Sequence, residues 1–251
     1  MDNHINEDLN KFYNININQL IGKGSFGKVY IAEKKDTKEK RAIKIFQLKE
    51  IKENLKQNFF YNENPEQIND EFEKYINSII NEIENMKICE NKYSVKYYET
   101  FKDENILAVV MELCDNNLSN ILKNKNEGFS IKEIYEIMHQ LNKTFKIMRE
   151  NRIVHRDIKL DNILIKSEKD NILNFICKLT DYGISKKKKN FTICKTYVWT
   201  AITTAPEILK NVGVNKKYDE KCDLWSIGVI IYELYFKRPP FNGNSESAIL
   251  N

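Results

Sequence analysis

Three glycines, Gly22, Gly24 and Gly27, sit between two stretches of strand-type alternation, and this arrangement constrains the fold more than any other feature of the chain. Ahead of them, Tyr13-Asn14-Ile15-Asn16-Ile17 alternates apolar and polar residues; behind them, Lys28-Val29-Tyr30-Ile31-Ala32 is β-branched and alternating. A period of two on both sides makes the glycine segment a turn between strands, whereas the same spacing in a dinucleotide-binding turn would open a helix. Glycines carry no Cβ, so their backbone amides can approach phosphate oxygens closely. For the motif standing alone, an ordinary hairpin is the plainer alternative. A further strand-like run, Arg41-Ala42-Ile43-Lys44-Ile45, follows, then Val95–Phe101 and Ile106–Glu112 joined by the turn Lys102-Asp103-Glu104-Asn105.

Helical periodicity takes over elsewhere. Residues 49–78 are rich in Lys, Glu and Asn and have the character of a partly helical insertion. A better-defined helix is predicted over Asp70–Cys89, with Phe72, Ile76, Ile79, Ile80, Ile83 and Met86 at helical spacing. Leu118–Arg152 reads as helix throughout, with Ser130 as an N-cap and Glu133 completing a capping box. The expected fold class is therefore α+β: a small antiparallel sheet lobe with one main helix (about 12–112), then a larger, mostly helical lobe (about 115–251), preceded by a disordered polar lead-in at 1–11.

Composition narrows the function classes. Of 251 residues, 41% are hydrophobic and 30% charged, which suits a globular chain long enough to bury a substantial core. Forty basic against 36 acidic residues give a net charge of +4, too balanced to point to nucleic acid. The most apolar run, Ser226–Phe236, is too short to cross a bilayer and contains Glu233, so no membrane is expected. The start of the chain lacks the basic and apolar regions of a secretory signal. Five scattered cysteines (Cys89, Cys114, Cys177, Cys194, Cys222) read as reduced thiols in an intracellular, cytoplasmic protein.

The chemistry-bearing residues lie in two places. Lys44 is flanked by apolar residues on a predicted buried strand, where an ammonium needs a counter-charge or an anionic ligand. Further on, His155-Arg156-Asp157-Ile158-Lys159-Leu160-Asp161-Asn162 is followed nineteen residues after Asn162 by Asp181-Tyr182-Gly183. Asp157 can accept a proton from an attacking hydroxyl, Asn162 and Asp181 offer hard oxygens to magnesium (Mg2+), and Lys159 can neutralise a migrating phosphoryl group.

Together these segments resemble the eukaryotic protein kinase family, serine/threonine type. The resemblance implies a two-lobed catalytic domain that uses ATP and Mg2+ to phosphorylate a protein. Asp157, Lys159, Asn162 and Thr200 would be the catalytic set, with Asn162 and Asp181 the metal ligands. Lys159, two residues after Asp157, and Thr200 fit a serine or threonine acceptor. The glycine loop (Ile21, Gly22, Lys23, Gly24, Ser25, Phe26, Gly27, Lys28) would cover the phosphates. Lys44 would hold them and pair with a helix glutamate, Glu82, or failing that Glu84. Val29, Ala42 and Leu164 would sandwich the purine beside Met111, and Glu112 and Cys114 would bond its edge. Ala205-Pro206-Glu207 and Asp223-Leu224-Trp225-Ser226-Ile227-Gly228 match later motifs of the family, and the aspartate of the second would support the catalytic-loop backbone.

Several departures from the pattern stand out. Tyr182 replaces the usual phenylalanine and adds a hydroxyl that needs a partner if buried. Lys186–Lys189 form a basic run, read as a solvated loop or as a dock for an acidic or phosphorylated partner. Arg156 before Asp157 suggests control by phosphorylation, with Thr196 the best-placed acceptor for an activating kinase or for autophosphorylation. The family's domain continues beyond the position matching Asn251, so the chain reads as an incomplete catalytic domain. The alternative is a pseudokinase that binds nucleotide or partners and transfers nothing.

Overall fold

The computed structural model describes residues 7–23, 27–58, 65–169, 173–182, 202–206 and 221–241. Contacts divide the chain into two compact units: Met1–Ile83 with Lys96–Leu113, and Glu84–Val95 with Cys114–Asn251.

The first unit begins with a correction. Where a disordered lead-in is expected, Glu7–Phe12 forms a short helix, α1. Leu9 is the reason: it is fully buried and joins Tyr13, Ala32, Ile43, Ile45, Ile106, Ala108 and Val110 in one apolar cluster. Covering that face removes apolar surface from water, which offsets the entropy of ordering one helical turn. Tyr13 donates a hydrogen bond to Glu99 Oε1 (2.5 Å), and the Lys35 backbone N–H donates to the Phe12 carbonyl (2.9 Å).

Five antiparallel strands follow: β1 (Tyr13–Lys23), β2 (Gly27–Lys34), β3 (Lys40–Gln47), β4 (Tyr97–Lys102) and β5 (Ile106–Glu112). Their order is β1-β2-β3-β5-β4. Residues 106–111 of β5 are all buried, as expected of an interior strand. The segment expected as an insertion holds α2 (Leu48–Asn58), which buries Leu48, Ile51 and Leu55. The main helix, α3 (Pro65–Ile88), starts five residues before the predicted Asp70. Pro65 explains the earlier start, since a proline suits the first turn of a helix, where its missing N–H costs nothing. Ile76, Ile79, Ile83 and Met86 are buried as their spacing demands, while Ile80 is exposed.

In the second unit, β6 (Asn116–Asn117), β7 (Ile163–Ser167) and β8 (Phe175–Leu179) form a small antiparallel sheet. The helices are α4 (Leu118–Asn124), α5 (Ile131–Glu150) and α6 (Lys221–Phe236), with a 3-10 turn at Leu160–Asn162. The run expected to be helical over Leu118–Arg152, with a helix start at Ser130, is thus two helices separated at residues 125–130. The break has two causes. Ser130 caps α5 with the predicted reciprocal box, Glu133 Oε2 accepting from the Ser130 N–H at 2.7 Å. Gly128 lies so close to the end of α6 that a Cβ there would stand 1.9 Å from the Tyr235 carbonyl oxygen, and the Phe129 N–H donates to the Leu234 carbonyl (2.8 Å).

Candidate active site

In the first unit, strand register assembles the predicted nucleotide residues. Val29 lies opposite Lys44, Ala42 opposite Met111 and Gly22 opposite Val29. Alternation along β3 puts Ala42 and Lys44 on one face, opposite the Ile43–Ile45 face that Leu9 covers. Gly27 is buried, and a Cβ there would press on the Phe46 ring at 3.1 Å. Lys23 and Lys28 pair at the mouth of the turn, Ile21 is exposed, and Gly24, Ser25 and Phe26 lie outside the described residues.

Lys44 Nζ stands 3.1 Å from Glu82 Oε1, with the two side chains only 12% and 5% exposed. Glu84, the other candidate, is exposed and pairs with Lys87 at 2.8 Å. The insertion therefore lengthens the sequence gap without displacing the pair. Tyr75 was not foreseen. It sits two turns before Glu82 on α3, and burial raises its phenol far above the ordinary value, with Lys44 pulling it down and Glu82 pushing it up. Glu112 closes β5 opposite Arg41, and its carboxylate accepts from the Lys96 N–H (3.3 Å).

The second unit holds the residues around Asp157. Its Oδ2 accepts from Lys159 Nζ (2.8 Å) and from Asn162 Nδ2 (3.0 Å). Oδ1 is buried with no hydrogen-bond partner among the described residues. Asn162 Nδ2 also donates to the Asp157 carbonyl (2.8 Å), so its amide nitrogen is spent on Asp157 and its carbonyl oxygen is the atom left to serve a cation. Asp181 follows β8 with φ +57°, a left-handed conformation uncommon for a residue other than glycine. Thr180 ties the two segments together. Its N–H donates to the Asn162 carbonyl (3.1 Å) and its carbonyl meets His155 Nε2 (3.0 Å). A hydrogen on Nε2 satisfies that contact and leaves Nδ1 to accept from the Asp157 N–H (3.4 Å).

Asp223 grips the same loop from α6: Oδ2 accepts from the His155 N–H (2.7 Å) and Oδ1 from the Arg156 N–H (2.8 Å). Arg156 is left-handed too, at φ +66°. Tyr182 is fully buried, its ring 5.6 Å from that of His155. Burial drives its phenol well above the usual range, Cys89 pushing the same way and Ser94 opposing. Leu164 and Cys114 are half-buried. Gly183, Lys186–Lys189, Thr196, Thr200 and Glu207 lie outside the described residues.

Among the described residues no three His, Cys, Asp or Glu side chains converge as a metal cage. Magnesium characteristically takes one or two protein oxygens and completes its shell with water and phosphate. Asn162 and Asp181 are donors of that kind. No helix among the described residues is long and apolar enough to cross a membrane.

Comparison with known proteins gives a consistent picture. Calcium-dependent protein kinase 5 of Plasmodium berghei is 35% identical over 246 residues, covering 98% of this chain and 38% of that protein. Serine/threonine-protein kinase TIO of Arabidopsis thaliana is 30% identical over 233 residues, covering 92% of this chain and 15% of that protein. Serine/threonine-protein kinase 33 of Mus musculus is 30% identical over 237 residues, covering 92% and 43%. The chain thus spans under half the length of these relatives. The model of the protein kinase domain matches residues 15–251. With that match, and with the Lys44–Glu82 pair and the Asp157 cluster in place, the chain belongs to the protein kinase domain family, whose members use ATP and a divalent metal to act on proteins.

Proposed function

We propose that the chain is the catalytic part of a serine/threonine protein kinase, transferring the γ-phosphoryl group of ATP to a protein hydroxyl. The observation that carries this reading is the asymmetry of Asp157: one carboxylate oxygen is held by Lys159 and Asn162, and the other has no partner among the described residues. A carboxylate so held keeps a fixed orientation and an available lone pair, as a group that orients and deprotonates an incoming hydroxyl requires. Lys159, 2.8 Å from that carboxylate, is a cation placed to offset charge developing at the transferred group. Lys44, kept in position by Glu82, is suited to the triphosphate. Asn162 and Asp181 would hold Mg2+, which supplies charge neutralisation when bound. The glycine loop, Val29, Ala42, Met111, Glu112, Cys114 and Leu164 are assigned to the nucleotide, and Thr200 to the catalytic set. Control by phosphate at Thr196 belongs to the same proposal, with the exposed Arg156 as its counter-charge.

The test is Asp157→Ala in a transfer assay with labelled ATP and a basic protein acceptor, alongside ADP binding. Transfer should fall by about 10²–10⁴-fold while binding stays within about threefold. Undiminished transfer would remove Asp157 from its role. A wild-type protein that binds ADP and transfers nothing would favour a nucleotide-binding scaffold instead.

A further inference from the structure

We propose that Lys178 is a positioning residue for Asp181, holding the end of β8 in register on the loop that follows α3. This rests on the kinase reading only in giving Asp181 a metal to hold. Lys178 is 6% exposed, an unusual place for a lysine. Its Nζ donates to the Lys92 carbonyl (2.8 Å) and the Ser94 carbonyl (3.3 Å). A buried ammonium is tolerated only where acceptors replace water, and two carbonyls of one loop do so here.

That loop is itself rigidly placed. Asn91 Nδ2 donates to the Cys89 carbonyl (2.8 Å) and to Thr144 Oγ1 on α5 (3.0 Å), and Thr144 Oγ1 donates to the Tyr93 carbonyl (3.0 Å). Strand β8 lies along it in parallel: the Leu179 N–H donates to the Tyr93 carbonyl (3.0 Å) and the Val95 N–H to the Leu179 carbonyl (2.9 Å). Three residues after Lys178 the backbone turns left-handed at Asp181. A strained residue of this kind keeps its conformation only if its surroundings over-determine it. Thr180 is fixed on one side by Asn162 and His155, and Lys178 fixes the strand on the other. A slip of β8 along the loop would move the Asp181 carboxylate with it. Lysine suits the task because one flexible ammonium reaches both carbonyls, which a neutral side chain of that length cannot do.

The experiment compares Lys178→Met, Lys178→Arg and a control, Gln140→Leu. Gln140 Oε1 accepts from the Cys177 N–H (2.8 Å), so its loss frees β8 at a point away from Asp181. Hydrogen exchange is followed without ligand at the amides of Leu179–Tyr182, and the thermal shift given by ADP is measured with and without Mg2+. In Lys178→Met, exchange at these amides should accelerate at least about tenfold beyond the control, and the Mg2+-dependent part of the ADP shift should fall by half or more. Lys178→Arg should recover most of both. Should Lys178→Met not accumulate, Lys178→Gln against Lys178→Arg carries the same ranking. Exchange and Mg2+-dependent shift that match the control, at equal loss of stability, would reduce Lys178 to a packing role and overturn the proposal. Faster exchange with no wild-type response to Mg2+–ADP would uphold the anchor while removing the kinase reading.

Discussion

Asp223 offers the sharpest check on how this structure builds a reactive loop. The loop around Asp157 has no helix or strand ladder to occupy its backbone donors, so the His155 and Arg156 N–H groups turn to one carboxylate 68 and 67 residues away, at 2.7 and 2.8 Å respectively. Asp223 is 7% exposed, and in Asp223→Ala water could not readily replace it. Each N–H left buried and unpaired costs about 1–3 kcal/mol, or about 2–6 for the two. Removing a buried carboxylate also removes its desolvation penalty, which favours the lower half of that range, about 2–4 kcal/mol. Against a total stability of about 5–15 kcal/mol, such a loss is severe without being unfolding. Asp223→Asn keeps one acceptor and points an amide N–H₂ at the other donor, for a loss of about 1–3 kcal/mol.

The functional loss should exceed what stability alone explains. Arg156 holds a left-handed conformation at φ +66°, and Asp157 follows it directly. Freed from Asp223, that residue can relax, and a shift of about 1 Å in a catalytic group can cost about 10²-fold in rate. Urea unfolding followed by circular dichroism, together with kcat and nucleotide affinity for both variants, measures each part. The expected order is wild type, Asp223→Asn, Asp223→Ala in both stability and kcat, with nucleotide affinity little changed. A stability loss below about 0.5 kcal/mol in Asp223→Ala, the range of an ordinary surface substitution, would refute the reasoning.

Other outcomes follow from the same geometry. Gly128→Ala forces a Cβ against the Tyr235 carbonyl, so the 125–130 segment must lift from α6; a loss of about 1–3 kcal/mol in urea unfolding is expected. Lys44→Met and Glu82→Gln should each cost more than half of what the double substitution costs, because either alone strands a buried partner; a coupling of about 1–3 kcal/mol in a double-mutant cycle checks this. Burial pushes the Cys89 thiol up to about 11 and the Cys177 thiol, with a contribution from Glu136, up to about 12, so neither forms much thiolate at neutral pH. Iodoacetamide at pH 7.5, mapped by mass spectrometry, should modify half-buried Cys114 well before Cys89 or Cys177.

Much of the fold was legible because its signals are local. The period of two around Gly22–Gly27 specified a hairpin, and Ser130 with Glu133 specified a helix start that the structure reproduces with both hydrogen bonds of the box. Glu82 could be preferred to Glu84 because helix phase alone sends them to different faces, and they do differ, one buried beside Lys44 and the other exposed. The failures are of another kind. Leu9 lies in a polar stretch with no period, and only the apolar face of a sheet formed later in the chain gives it a reason to be helical. Ser130 marks where α5 starts, but the non-helical path ahead of it depends on Gly128 meeting α6 about a hundred residues further on. No pattern inside 118–152 contains that contact.

The same distinction separates the residues proposed to react from those that hold them. Asp157, Lys159 and Asn162 are recognisable because chemistry dictates their types and close spacing. Asp223 was visible only through resemblance, and Lys178, Thr144 and Gln140 not at all. Yet all four are buried polar residues: Asp223, Lys178 and Thr144 satisfy backbone groups of segments lacking regular structure, and Gln140 satisfies an amide of strand β8. A segment that must bend away from helix and strand to present a carboxylate leaves backbone groups unpaired, and burial makes each of them costly. Those groups need partners from distant parts of the chain, because nearby residues share the same irregular path. Buried polar side chains that hold irregular backbone should therefore concentrate around the 155–162 and 178–182 segments, and substituting Asp223 or Lys178 should impair Asp157 or Asp181 before it unfolds the unit that contains them.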